Sequence, residues 1–191
     1  MRLFIALPFS ESFKNWLEQA GEDLFTLFPP HSLRPARKQN LHLTLQFLGE
    51  VPGSHLKPMQ SAILQALSGV RAFPFTPGLA GLLPNPYRPR ILWIGLEPAV
   101  FFTRTANLLG NALSPYIKMD EKKFLPHITL ARFNENHAAL ATVDLKNVVL
   151  PCCHLPGTDL MADCVKLYQS ELKPSGPVYT EMASFGLQKI C

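Results

Sequence analysis

Charge is scarce in this sequence. Only 17% of its 191 residues are Asp, Glu, Lys or Arg, against roughly 25% in an average soluble domain. With 47% hydrophobic residues, the chain has ample apolar surface to bury and is not disordered. Membrane-length apolar runs are also missing. The longest uncharged stretch, Ala72 to Tyr87, carries Pro74, Pro77, Gly78, Gly81, Pro84 and Pro86, which no continuous spanning helix tolerates. The opening Met1-Arg2-Leu3-Phe4-Ile5-Ala6-Leu7-Pro8 has too short an apolar run for a signal peptide and reads as a first strand. Cys152, Cys153, Cys164 and Cys191 lack C-x-x-C spacing, which points to reduced thiols in a cytoplasmic protein rather than a disulfide framework or metal site. There is no Walker-type loop, dinucleotide glycine fingerprint or G-x-S-x-G elbow, so the common nucleotide and hydrolase motifs are absent.

Proline is abundant: 18 residues, about 9% against the usual roughly 5%, so short elements joined by stiff loops are expected. The net charge is +4. That suits a phosphate-bearing ligand and is too weak for tight binding along a long nucleic-acid backbone. The basic residues fall in three groups, Arg34/Arg37/Lys38, Arg88/Arg90 and Lys118/Lys122/Lys123, each of which taken alone reads as a solvated loop.

Strand and helix patterns alternate along the chain. Phe13, Trp16, Leu17, Ala20, Leu24, Phe25 and Phe28 recur at helical spacing until Pro29-Pro30 stops them. Leu41 to Leu48 alternates as a strand, with Leu41, Leu43, Leu45 and Phe47 on one face and His42, Thr44 and Gln46 on the other. A second helix is expected over Leu56–Leu67, strands near Phe73–Leu82 and Arg90–Leu96, and a third helix over Pro98–Leu113 with Phe101, Leu108, Leu109 and Ala112 apolar. His127 to Phe133 is another alternating strand. A short helix around Ala138–Leu145 and strands near Val148, Val165–Ser170 and Tyr179–Leu187 complete the pattern. The intermixed elements imply an α+β fold of mostly antiparallel strands covered by helices.

Two of these strands carry the same four-residue pattern, His42-Leu43-Thr44-Leu45 and His127-Ile128-Thr129-Leu130. With six His and nine Thr in the chain, about 0.3 His-x-Thr matches are expected by chance, so two that also share Leu are a signal. Residues two apart on a strand share a face, so each segment sets an imidazole beside a hydroxyl. One imidazole can take a proton from a nucleophile while the other gives one to a leaving group. Threonine hydroxyls can hold the non-bridging oxygens of a phosphate. The pair therefore points to in-line phosphoester cleavage without a metal or other cofactor. A catalytic zinc needs three protein ligands, and His31, His55, His137 and His154 sit in no ligand spacing.

The paired motifs, with Arg2-Leu3-Phe4-Ile5-Ala6, Phe47-Leu48-Gly49, Ala131-Arg132 and Leu167-Tyr168-Gln169-Ser170, make the sequence resemble the 2H phosphoesterase superfamily and, within it, the RNA 2′,3′-cyclic phosphodiesterases also called 2′-5′ RNA ligases. The resemblance implies one bilobal domain over residues 1–191: two pseudo-symmetric lobes, each a mostly antiparallel sheet with helices on its outer face, and an active-site cleft between them. It implies that His42 and His127 are catalytic, with His42 the proton donor to the departing ribose oxygen and His127 the acceptor that activates water. Thr44 and Thr129 are then phosphate ligands. The implied reaction opens the 2′,3′-cyclic phosphate at a single-stranded RNA end, such as that of a tRNA fragment, to a 2′-phosphate, and can run toward a 2′-5′ linkage. The protein is expected to be a cytoplasmic monomer with no membrane partner. Two other readings remain open: a non-catalytic RNA-end binding module, and a phosphodiesterase of small cyclic nucleotides.

Arg132 matches a functional arginine of that family, yet it stands at an odd offset from His127. Strict alternation turns it to the opposite face, so a substrate role requires a bulge to re-aim it. Tyr87, Phe124 and Tyr168 can either stack an unpaired base or pack in the core.

Overall fold

The computed structural model describes residues 1–118, 124–134, 160–174 and 176–189. The fold is α+β, with the element order β1 Arg2–Leu7, α1 Glu11–Phe25, β2 Leu33–Pro35, β3 Leu43–Glu50, α2 Leu56–Leu67, β4 Phe73–Pro74, β5 Thr76–Leu83, β6 Ile91–Glu97, α3 Ala99–Leu113, β7 His127–Phe133, β8 Met161–Ala162, β9 Cys164–Lys173 and β10 Gly176–Gly186. The expected helix around Ala138–Leu145 and the strand near Val148 lie outside the described residues, as do Cys152, Cys153 and Cys191. Cys164 is a free thiol.

One antiparallel sheet runs β10-β9-β1-β3-β7-β6-β5, with β2 added beside β7, and β4–β8 forms a separate two-stranded ribbon. The sheet has two halves. Strands β10, β9, β1 and β3 form one, strands β7, β6 and β5 the other, and they meet at a single register pair, Leu43–Ile128. One face of the sheet is apolar: Leu3, Ile5, Leu7, Leu43, Leu92, Ile94, Leu96, Ile128 and Leu167 are buried in a core shared with the helices. Helix α1 leaves the first half and packs on β7 of the second; α3 leaves the second half and packs on β3 of the first. Phe9, Phe13, Phe75 and Phe102 lock these helices together through three edge-to-face contacts and one tilted contact, with centroids 5.1 to 6.0 Å apart.

Local signals account for the helix limits. Ser10 caps α1, its hydroxyl accepting from the Phe13 amide at 3.3 Å. Pro58 stands in the first turn of α2, where a missing N–H costs nothing. In α3 the buried stripe is Phe102, Ala106, Leu109 and Leu113, while Phe101 and Leu108 are largely exposed. Of the expected stripe Phe101, Leu108, Leu109 and Ala112, Leu109 is buried as expected, while Phe102 and Leu113 take the core places given to Phe101 and Ala112. Phe102 wins the core because it is the ring that meets Phe73 and Phe75 at once.

Candidate active site

The opposite face of the sheet carries His42, Thr44, His127 and Thr129. They flank the Leu43–Ile128 pair, so antiparallel register sets His42 beside Thr129 and Thr44 beside His127. Each motif therefore faces the other across a local twofold, and the four side chains ring one spot at the seam between the halves.

Both imidazoles are fixed in the same way. His42 Nδ1–H donates to the Asn40 carbonyl at 2.7 Å and His127 Nδ1–H to the Leu125 carbonyl at 2.8 Å, in each case the residue two positions earlier. A carbonyl can only accept, so Nδ1 carries the proton and Nε2 keeps its lone pair. The Thr44 hydroxyl donates to His42 Nε2 at 3.0 Å. His42 is enclosed by rings, with Phe4 at 5.0 Å and the edge of Tyr179 at 5.4 Å, and Phe4 stacks in turn on Tyr168 at 5.3 Å. Beside it lies a cavity of about 190 Å³ whose lining includes Phe4, Lys14, Asn40, His42, Tyr168 and Tyr179. Burial lowers the pKa of His42 from 6.5 to about 4, the Asn40 carbonyl opposes this, and the charge of His127 adds a small further lowering. His127 is lowered as well, mainly by burial and further by the Arg132 guanidinium, with the Leu125 carbonyl opposing. In the free protein both histidines are neutral at pH 7.

Beyond each threonine the strand departs from simple alternation, at the same place in both motifs. The β1–β3 register steps from Ala6–Thr44 to Ile5–Gln46 and passes over Leu45; the β6–β7 register steps from Trp93–Thr129 to Leu92–Ala131 and passes over Leu130. These bulges invert the faces that follow. Gln46, expected beside His42, instead reaches the helix layer and donates to the Ala106 carbonyl at 2.7 Å. Phe47, expected in the core, is 73% exposed on the histidine face, with its ring 6.5 Å from Phe4. Arg132 is re-aimed by the second bulge onto the same face as Thr129, and its charge acts on both His127 and Tyr179 across the seam. Phe47 and Arg132 are thus equivalent positions of the two halves with opposite chemistry.

Of the three aromatics singled out from the sequence, Tyr168 joins the ring box around His42, Tyr87 is exposed on the β5–β6 loop, and Phe124 packs against the core. Sequence reasoning missed Phe4, Tyr179 and Trp93. Trp93 stands edge-on to His127 at 6.1 Å, its indole lying over Gly81, where a Cβ would sit 2.3 Å from Trp93 Cζ2. Among the described residues, no group of three or more His, Cys, Asp or Glu could hold a metal ion, and no helix is long and apolar enough to cross a membrane.

Comparison with known proteins fits this geometry. The family described as LigT-like phosphoesterase matches residues 7–93, which include the first motif. A Thermus thermophilus protein named RNA 2′,3′-cyclic phosphodiesterase is 32% identical over 197 residues, covering 98% of this chain and 91% of that protein. Its namesake from Thermotoga maritima is 30% identical over 180 residues, covering 94% and 91%. Among solved structures, one of a Thermus thermophilus protein superposes with a TM-score of 0.79 at 29% identity, covering 99% of both chains. E. coli LigT complexed with phosphate gives 0.72 at 26%, covering 98% of this chain and 97% of that one, and the same protein has been solved with 3′-AMP.

Proposed function

Because this chain belongs to the LigT-like phosphoesterases of the 2H superfamily, we propose that it opens the 2′,3′-cyclic phosphate at RNA ends and leaves a 2′-phosphate, with His42 and His127 as the acid and base. The observation that carries this reading is the pair of imidazoles held in one tautomer by main-chain carbonyls, on either side of the Leu43–Ile128 pair.

The cyclic phosphate sits where the four motif side chains converge. Thr44 and Thr129 donate to its non-bridging oxygens, the Thr44 hydroxyl turning away from His42 to do so, and the Arg132 guanidinium faces the charge that builds in the transition state. The anion raises the proton affinity of the two histidines that burial had lowered, so His42 becomes an imidazolium as substrate binds. His127 Nε2 then takes a proton from water as the water oxygen attacks phosphorus. His42 Nε2 delivers its proton to O3′ as the P–O3′ bond breaks, and the phosphate stays on O2′. A ribose 5′-hydroxyl in the place of water gives a 2′-5′ linkage through the same proton movements, without ATP. The exposed Phe47 ring offers the terminal base a stacking surface, which favours a single-stranded end.

The test is product analysis on an oligoribonucleotide with a 2′,3′-cyclic end, in the presence of chelator. Wild type is expected to yield only the 2′-phosphate, and His42→Ala and His127→Ala should each lose about 10²–10⁴-fold in kcat while remaining folded. Full activity in either variant overturns the assignment. Tight binding of the cyclic end without turnover in wild type identifies an RNA-end binding module instead.

A further inference from the structure

Three basic segments far apart in sequence meet at one corner of the sheet. Arg34 on β2 pairs directly with Arg132 on β7, and Arg132 pairs on its other side with Ile91 at the start of β6. Directly opposed residues share a face, so Arg34 stands beside Arg132 on the histidine side. Ile91 in turn pairs with Leu83, from which the loop 84–90 springs. That loop is tied to the same end of β7, since the Phe133 amide donates to the Arg90 carbonyl at 3.0 Å. Its tip is ordered by Asn85, whose side-chain oxygen accepts from the amides of Tyr87 and Arg88, each at 3.0 Å. Tyr87 is 73% exposed and Arg88 is exposed beside it.

Two arginines directly opposite on neighbouring strands repel by roughly 0.2–1 kcal/mol unless an anion lies between them. Among the described residues no carboxylate pairs with Arg34, Arg88 or Arg132. Guanidinium forks match phosphate oxygens, and the exposed tyrosine next to Arg88 gives an unpaired base a face to stack on. The corner is reached from the scissile spot along β7, one step beyond Thr129 on the same face.

We infer that this corner is the track for the RNA strand that leads into the site, with Arg34 and Arg88 taking internucleotide phosphates and Tyr87 an upstream base. The inference rests on the reading of the site as one for RNA cyclic ends. It makes the protein selective for polynucleotide ends over cyclic mononucleotides.

The experiment compares kcat/KM for a 2′,3′-cyclic mononucleotide and for a short oligoribonucleotide ending in the same cyclic nucleotide. Wild type is expected to favour the oligonucleotide by at least about tenfold, and the double variant Arg34→Gln/Arg88→Gln should lose that preference while its mononucleotide kcat/KM stays within about twofold. Its log–log salt dependence should flatten by about 0.7 for each phosphate contact removed. Equal kcat/KM for both substrates in wild type, or an undiminished preference in the double variant, overturns the track. Should neither substrate turn over, the reading of the catalytic site fails instead. Fluorescence anisotropy of a labelled linear oligoribonucleotide then decides the track on its own, and equal affinity for wild type and double variant overturns it.

Discussion

Replacing His42 with asparagine should change how stability depends on pH, by an amount set by the environment of that ring. Burial among Phe4, Tyr168 and Tyr179 holds the His42 pKa at about 4, against 6.5 when the chain is unfolded. The folded state therefore binds fewer protons than the unfolded state between those values. The contribution of neutral His42 is fully present above pH 6.5 and is lost as pH falls from 6.5 through 4. At about 1.4 kcal/mol for each tenfold difference in proton affinity, the loss comes to about 3 kcal/mol. Asparagine keeps an N–H for the Asn40 carbonyl and does not titrate. Carboxylates also titrate in this range, so the quantity to follow is the difference between wild type and His42→Asn, from urea unfolding monitored by circular dichroism at pH 7 and pH 4. At pH 7 the variant should be the less stable protein, because its ring contacts are gone. By pH 4 the gap should have closed by about 3 kcal/mol. A gap that stays constant to within about 0.5 kcal/mol refutes the buried, neutral histidine and the resting protonation state drawn from it.

Activity should follow the same electrostatics. Both histidines have lowered pKa values in the free protein, so the kcat/KM profile, which reports free enzyme, should peak below pH 6.5, and the kcat profile should peak at higher pH because bound phosphate raises both groups. Stopped assays from pH 4 to 9 measure this, and coincident optima above pH 7 contradict it. Gly81→Ala should cost about 1–3 kcal/mol, since the new methyl group collides with the Trp93 indole, which is itself packed against His127. Thermal unfolding checks this, and an unchanged Tm would mean that the indole can move aside freely.

Much of the site was readable in advance because the H-x-T spacing is local. A strand of any register sets His42 with Thr44 and His127 with Thr129, and the helix starts follow from Ser10 and Pro58, whereas α1 ends at Phe25, four residues before the Pro29-Pro30 expected to stop it. The faces beyond the threonines were not readable. Gln46 and Phe47 exchange places because β1 pairs with β3 so as to pass over Leu45, a decision made by a strand some forty residues away. Arg132 is the converse case: its odd offset demanded a bulge, and the register with β6 supplies one at Leu130. Strand β2 escaped notice because Leu33-Arg34-Pro35 is too short and too polar to carry a period. Phe4, Trp93 and Tyr179 escaped because a ring facing a cleft and a ring facing a core look alike in an apolar strand.

The exchange of helices between the two halves has a mechanical meaning. A sheet joined at its centre by the single pair Leu43–Ile128 has a weak crease there, and a crease invites bending. But α1 and α3 each span from the half that precedes it in sequence to the seam strand of the other half, like two struts crossing a fold line. Bending at the crease must disturb the contacts of both helices at once, while α2 stays on the first half, where it packs against β10. Opening and closing at the crease are thereby tied to both helices together. The spacing between the two imidazoles is stiff before any substrate arrives, so little conformational freedom is left to lose when the phosphate enters.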